Sequence, residues 1–394
     1  MPFNETYDTL PLKELREQCL KSGEPEVLRT LQNPSISIQD FATLISPAAS
    51  ASLEVIAARS RAATQQRFGK TIRLFAPLYL SNECVNNCTY CGFSRDNPIV
   101  RVTLSVDEVI AEAKALKAQG FRNILLVAGE HPKFVSNGYV AECIGALRKI
   151  VPGIALELGP LTNSEYRPLA AAGAEGLVVY QETYDREAYR LYHTAGPKKD
   201  FDWRLDTAER AYHAGFRRLG IGALFGLSDW RREAIALAAH AEWLLKHCWK
   251  AQITISLPRL RPCAGNFTPT DPINDRELTQ LICALRLFLP DTGIVLSTRE
   301  PAGLRNGLIP LGITMMSAGS HTEPGGYTGA GVEKLHRRDK GKLIEISEDC
   351  PPTDLRATGQ FDIADHRPPN AVAHEIRRLG YEPVWKDWDA ALTV

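Results

Sequence analysis

The stretch Thr71-Ile-Arg-Leu-Phe-Ala-Pro-Leu-Tyr-Leu-Ser81-Asn-Glu-Cys84-Val-Asn-Asn-Cys88-Thr-Tyr-Cys91 begins as a β-rich apolar run and ends in three thiols. The run reads as a buried strand, and the thiols fall where such a strand would emerge. A tetrahedral zinc site needs a fourth Cys or His at similar spacing. The nearest downstream candidates, His131 and Cys143, form no second pair. A [4Fe–4S] cluster is held by thiolates. Three of them leave one iron without a protein ligand, and an open position is what separates catalytic from structural metal sites.

Upstream of this stretch, residues 1–70 read as amphipathic helices, at 12–20, 25–32, 38–44 and 48–68. Downstream, short β-rich runs alternate with longer helical patterns. The candidate strands are 72–78, 123–127, 155–158, 176–180, 218–221, 252–256, 294–297 and 313–316. Ser105 with Glu108 forms a capping box for a helix over 106–119 that Gly120 ends, and Asn274 with Glu277 opens another that stops before Pro290. Strand and helix in alternation imply an α/β fold. The count favours a closed (β/α)8 barrel over an open doubly wound sheet. The expected organisation is a helical extension over 1–70, a barrel over 71–318, and a C-terminal extension over 319–394 that closes or packs on the barrel.

Composition narrows the function class. The 394 residues are 44% apolar, enough for a large core. Forty-six basic and 46 acidic residues cancel, so no global field draws the chain to nucleic acid or an anionic membrane. No apolar run approaches the ~18 residues of a spanning helix, and the N-terminus lacks a signal pattern, so a soluble, cytoplasmic protein is expected. Six cysteines lie outside the cluster; Cys143, Cys248 and Cys283 fall among apolar helical residues and read as core.

Barrel chemistry gathers at the C-terminal ends of strands, and the notable residues converge there. Ala128-Gly129-Glu130 follows the second strand, Glu157 closes the third, and Tyr180-Gln181-Glu182 closes the fourth. Thr298-Arg299-Glu300 closes the seventh, and Ser317-Ala-Gly-Ser320 the eighth. A planar fork of donors at Arg299 suits an amino-acid carboxylate, with Ser317 and Ser320 as hydroxyl donors. The competing reading is an ion pair of Arg299 with Glu300 or Glu182. Glu157, in an apolar strand, needs a partner if it is charged. Gly220-Ile-Gly222 lacks the third glycine of a dinucleotide fingerprint; close backbone approach to an adenosyl group is the preferred reading.

The cysteine spacing, with Tyr90 before the last thiol, resembles the radical S-adenosylmethionine (SAM) superfamily. Further segments are similar to the tyrosine lyases of thiazole biosynthesis, the 2-iminoacetate synthases. They are Pro77–Ser94, Val179–Tyr184, Gly222–Asp229, Pro258-Arg-Leu-Arg-Pro-Cys263, Ser297–Glu300, Pro324-Gly-Gly-Tyr327 and the tail Val384-Trp-Lys-Asp-Trp388. The resemblance implies a [4Fe–4S] cluster on Cys84, Cys88 and Cys91, with SAM on the bare iron. It implies that Glu130 accepts from the SAM amino group, Glu157 from a ribose hydroxyl, and that Arg204 grips the SAM carboxylate, with Tyr90 beside the cofactor. For Glu130 a plain turn residue, for Glu157 a buried salt bridge, and for Arg204 a helix-surface position remain the alternatives.

The implied reaction cleaves SAM to methionine and a 5′-deoxyadenosyl radical, which abstracts hydrogen from the amino group of L-tyrosine. Cα–Cβ scission then gives p-cresol and dehydroglycine (2-iminoacetate) for thiamine. Thiazole synthase and an electron donor of flavodoxin or ferredoxin type are the implied partners. The tyrosine lyase of [FeFe]-hydrogenase maturation carries a second cysteine cluster, whereas Cys350 is the only cysteine after Cys283 here. The tryptophan lyase that makes 3-methylindolic acid is the nearer alternative. A non-catalytic iron–sulfur carrier is disfavoured by the missing fourth thiolate. The segment between Pro324 and Gln360, rich in charge around 332–349, is longer than the resemblance leads one to expect.

Overall fold

Parallel strands buried on both faces need near-continuous apolar runs, and Thr71–Ser81 (β1), with Ile72, Leu74, Ala76, Leu78 and Leu80 fully buried, is the longest of them. A computed structural model describes residues 2–339, 342–344 and 356–385. Cys350, the tail beyond Trp385 and part of the charged segment 332–349 lie outside the described residues.

Asn123–Ala128 (β2), Gly153–Glu157 (β3), Gly176–Val178 (β4), Arg218–Gly222 (β5), Gln252–Ser256 (β6), Gly293–Leu296 (β7) and Met315–Ser317 (β8) follow β1 in the order of the chain, each pairing in parallel with the next. β8 returns to β1, with Arg73 opposite Met315, Leu74 opposite Met316 and Phe75 opposite Ser317. The sheet is therefore the closed (β/α)8 barrel, and the open sheet is excluded.

The helices start where their caps dictate. Ser105 accepts from the Glu108 N–H to begin Val106–Ala118, and Asn274 does the same with Glu277 for Asp275–Phe288. The last strand begins two residues later than the sequence pattern suggests. There the Ile294 N–H goes to the Thr314 side-chain hydroxyl at 3.0 Å, while the Thr314 N–H donates to the Ile294 carbonyl at 3.0 Å.

Two extensions wrap the barrel. The N-terminal helices lie against its outer helices. Gln280 donates to the carbonyls of Leu44 and Ser46, Phe41 packs on Phe288, and Phe3 stacks on His240 at 4.1 Å. No single helix among the described residues is long and apolar enough to cross a membrane. The C-terminal segment returns over the strand ends: Tyr327 donates to the Pro77 carbonyl at 2.6 Å, and His336–Asp339 pairs antiparallel with Val100–Arg101. A buried Arg305–Asp365 ion pair fastens it to the helix Ala302–Leu308. The chain then forms Pro369–Arg378 and adds Glu382–Val384 alongside Thr71–Arg73.

Candidate active site

β1 ends in a loop that turns back on itself and carries all three thiols. Buried polar side chains hold that loop. Arg101, 1% exposed, donates to the carbonyls of Asn82 (2.6 Å), Phe93 (3.2 Å) and Ser94 (2.7 Å). Asn97 bridges the carbonyls of Cys91, Gly92 and Ala264. The short strand Asn87–Cys88 pairs with His193–Ala195. Gly129 lies so close that a Cβ there would fall on the Glu83 carbonyl and meet the Cys84 Cβ at 3.2 Å. Glycine in Ala128-Gly129-Glu130 is thus required by backbone packing against the first thiol.

Cys84, Cys88 and Cys91 line one cavity with Glu130, Glu157, Glu182, Lys198, Arg204 and Gln360. No three His, Cys, Asp or Glu side chains among the described residues converge as a single ion would require. Thiols spread around a shared space suit a cluster of several irons, so the donor set fits the group that the spacing implies. Burial raises the Cys84 and Cys88 thiols, so loading a cluster must release protons.

The wall opposite the thiols is charged. Glu182 is the only described non-glycine residue with positive φ, at 72°, and the bend aims its carboxylate at Lys198 (2.7 Å) and Arg204 (3.3 Å). Burial alone would raise Glu182, yet Lys198 and Arg204 hold it below the ordinary carboxylate range. Two cations against this one carboxylate leave positive charge on that wall. Glu130 supplies negative charge elsewhere on the lining, accepting from the Asn86 amide at 2.7 Å, and its carboxyl rests on Gly159. The cavity therefore offers both signs, as a zwitterionic amino-acid group requires.

A second cavity lies beside the first. Tyr79, Glu157, Tyr180, Arg299, Ser317 and Ser320 are among its lining residues. Glu157 and Tyr180 belong to both cavities. Burial, reinforced by Glu182, raises the Glu157 carboxyl to about 7. Arg299 makes no ion pair among the described residues, because Glu300 is taken by Arg259 and Glu182 by Lys198 and Arg204. Its guanidinium lies 3.3 Å from the centroid of the Phe361 ring. Ser317 accepts from the Thr298 N–H at 3.1 Å, leaving its own O–H to donate, and the buried Ser320 hydroxyl has no partner among the described residues.

The Radical SAM superfamily model matches residues 78–239, and that of the Biotin and Thiamin Synthesis associated domain matches residues 256–382. The 2-iminoacetate synthase of Escherichia coli (strain K12) is 40% identical over 391 residues, which cover 99% of this chain and 97% of that protein. The chain belongs to the 2-iminoacetate synthase family of radical SAM enzymes. A solved FeFe-hydrogenase maturase, HydG from Carboxydothermus hydrogenoformans, superposes with a TM-score of 0.83 at 34% identity, covering 95% of this chain and 83% of that one. Methylornithine synthase, at 20% identity and a TM-score of 0.68 over 93% of this chain and 98% of its own, shares the fold.

Of the residues singled out by sequence, the three cysteines, Glu130, Glu157, Arg204, Arg299 and Ser317 line this pair of cavities. Tyr90 does not. Its ring packs with Cys88, Tyr192, Leu224 and Leu227, the Lys198 ammonium 5.6 Å from its centroid, and its hydroxyl donates to His193 Nε2 at 2.7 Å. His193 in turn gives its Nδ1–H to the Tyr189 carbonyl, and burial lowers its imidazole to about 3, so it stays neutral. Gly220 and Gly222 serve the barrel interior: a Cβ on Gly222 would meet the Tyr180 ring at 2.8 Å. Lys198 and Gln360 were not anticipated, and Glu182 only as a strand-end residue and a candidate partner of Arg299. Arg204 and the Tyr-Gln-Glu that follows β4 are the sequence signals that pointed toward this wall.

Proposed function

We propose that this radical SAM enzyme cleaves the Cα–Cβ bond of L-tyrosine to 2-iminoacetate and p-cresol, with methionine and 5′-deoxyadenosine as co-products, for thiazole and thiamine biosynthesis. The observation that carries the reading is the meeting of two cavities at Glu157 and Tyr180, one lined by three thiols and the other by an arginine with no acidic partner among the described residues. In this reading Cys84, Cys88 and Cys91 hold a [4Fe–4S] cluster. Glu130 takes the SAM ammonium, Arg204 its carboxylate and Glu157 a ribose hydroxyl. When bound, cluster and SAM supply one-electron chemistry that removes a hydrogen atom from substrate.

The chain's own work is positioning. Arg299 and Ser317 anchor the tyrosine carboxylate, which turns the amino group toward the Glu157 wall shared with the cofactor cavity. Holding reacting atoms within about 3–3.5 Å replaces a bimolecular encounter by an oriented one. Phe361 and Gln360, from the C-terminal extension, cover the two cavities and exclude water. Tyr90 supports the thiol loop by packing with Cys88. A flavodoxin- or ferredoxin-type donor reduces the enzyme in the cytoplasm, and thiazole synthase takes up the imine.

Anaerobic turnover of reconstituted protein with SAM, a reductant and tyrosine tests this, with p-cresol and 5′-deoxyadenosine as readouts and tryptophan in parallel. Equal release of the two products from tyrosine is expected. A 3-methylindole acid from tryptophan with no p-cresol from tyrosine would overturn the assignment.

A further inference from the structure

We infer that Gln360 is a positioning residue of the thiolate site, whose side-chain N–H donates to the sulfur of Cys91 and raises the reduction potential of the cluster. This rests on the reading that the three thiols hold a [4Fe–4S] cluster. Gln360 Nε2 lies 3.9 Å from Cys91 Sγ, while Gln360 Oε1 accepts from the Tyr79 hydroxyl at 2.8 Å. The orientation of the amide follows from electrostatics. A flipped amide would turn its carbonyl oxygen toward the sulfur, which repels it once the sulfur is a thiolate. The orientation with nitrogen on sulfur and oxygen on Tyr79 satisfies both ends.

The residue is held as firmly as its role requires. Its carbonyl accepts the Gly92 N–H at 3.2 Å, next to Cys91, and its own N–H donates to Thr322 at 2.9 Å. A Cβ on Gly92 would meet the Gln360 carbonyl at 2.5 Å, so glycine permits this approach. Two residues earlier, the Thr358 N–H donates to the Val100 carbonyl at 2.9 Å, its side-chain Oγ1 accepts the Val100 N–H at 3.1 Å, and its carbonyl accepts from the Asn82 amide at 3.0 Å. The strap is therefore stitched to both arms of the loop that carries the thiols.

The sulfurs are served differently. Cys84 receives main-chain N–H groups of Asn86 and Glu130, which substitution leaves in place. The donor to Cys91 is a side chain. Adding an electron raises the charge on the thiolate sulfurs, so an N–H···S bond is stronger in the reduced state and favours reduction; hydrogen bonds to sulfur are among the determinants of cluster potentials.

Wild type, Gln360→Leu and Gln360→Glu are reconstituted anaerobically. Iron content is measured, and the reduced fraction is followed by electron paramagnetic resonance at fixed applied potential, without SAM or tyrosine. Full iron loading is expected in all three. In Gln360→Leu the reduced-to-oxidised ratio should fall about tenfold, equivalent to ~59 mV for a one-electron couple. Gln360→Glu keeps the acceptor for Tyr79 but puts an oxygen on the sulfur, so its ratio should fall further. Tyr79→Phe, which releases the amide, should shift the same way by less. An unchanged ratio in fully loaded Gln360→Leu overturns the inference, as does loss of iron from both Gln360 variants, which would make the residue a structural clasp. Failure of wild type itself to assemble a SAM-responsive cluster would instead sink the reading beneath it.

Discussion

The side-chain amide of Asn86 donates to the Glu130 carboxylate at 2.7 Å, joining the thiol loop to the end of β2. The same Asn86 accepts the Lys198 N–H through Oδ1 at 2.9 Å, so one side chain spans loop, strand end and the cationic wall. Glu130→Gln keeps an oxygen for Asn86 and removes only the charge. A charge-assisted hydrogen bond contributes about 1.5–3 kcal/mol, so SAM affinity should fall roughly ten- to a hundredfold with iron content unchanged. Titration of the reduced protein with SAM, followed by its spectroscopic change, measures this; unaltered affinity would remove Glu130 from the cofactor site.

Arg299 stands over Phe361 with no acidic partner among the described residues, and a guanidinium so placed binds a carboxylate through two parallel donors. Arg299→Lys loses both the fork and the ring stacking. We expect it to behave nearly as poorly as Arg299→Ala: tyrosine KM raised more than about tenfold, with iron loading and SAM binding as in wild type. Lysine restoring full tyrosine turnover would show that a point charge suffices there.

Glycines divide by what a methyl group would meet. At Gly129 it falls on the Glu83 carbonyl and Cys84 Cβ; at Gly303, within the helix Ala302–Leu308, nothing lies within 4 Å. Gly129→Ala should therefore push the first thiol out of place and lower iron per chain after reconstitution. Gly303→Ala should leave loading intact and stabilise the protein by roughly 0.5–1 kcal/mol through helix propensity. Equal iron content in the two variants would contradict the packing argument.

The barrel was legible because its strands are continuous apolar runs and its helices begin at capping boxes such as Ser105 with Glu108. The thiols, Glu130, Glu157 and Arg299 were legible because each ends a strand, and strand ends converge in any such barrel. Lys198 sits within a short turn, Pro197–Lys199, with no periodic pattern to aim it, and Glu182's left-handed bend brings the pair together. Arg101 works through main-chain carbonyls, which leave no mark in sequence. Gln360 reaches Cys91 from 269 residues away, along a segment without regular structure. Tyr90, adjacent to Cys91 in sequence, packs its ring with Cys88, Tyr192, Leu224 and Leu227 and is not among the residues lining the thiol cavity.

Glu157 makes stability depend on pH. Its carboxyl is raised to about 7 in the folded protein, against roughly 4.3 when unfolded. Between those values the folded state binds the extra proton, so stability of the metal-free protein falls as pH rises through this window, and the whole loss is present above about 7. Glu157→Gln removes the titration. The variant should match wild type in thermal unfolding near pH 4 and exceed it near pH 8, by on the order of 3–4 kcal/mol. The same substitution removes an acceptor from the shared wall, so SAM binding should weaken even as the apo-protein gains stability. A variant with an unchanged pH profile would mean that Glu157 ionises freely in the fold, and that the wall between the cavities is wet rather than dry.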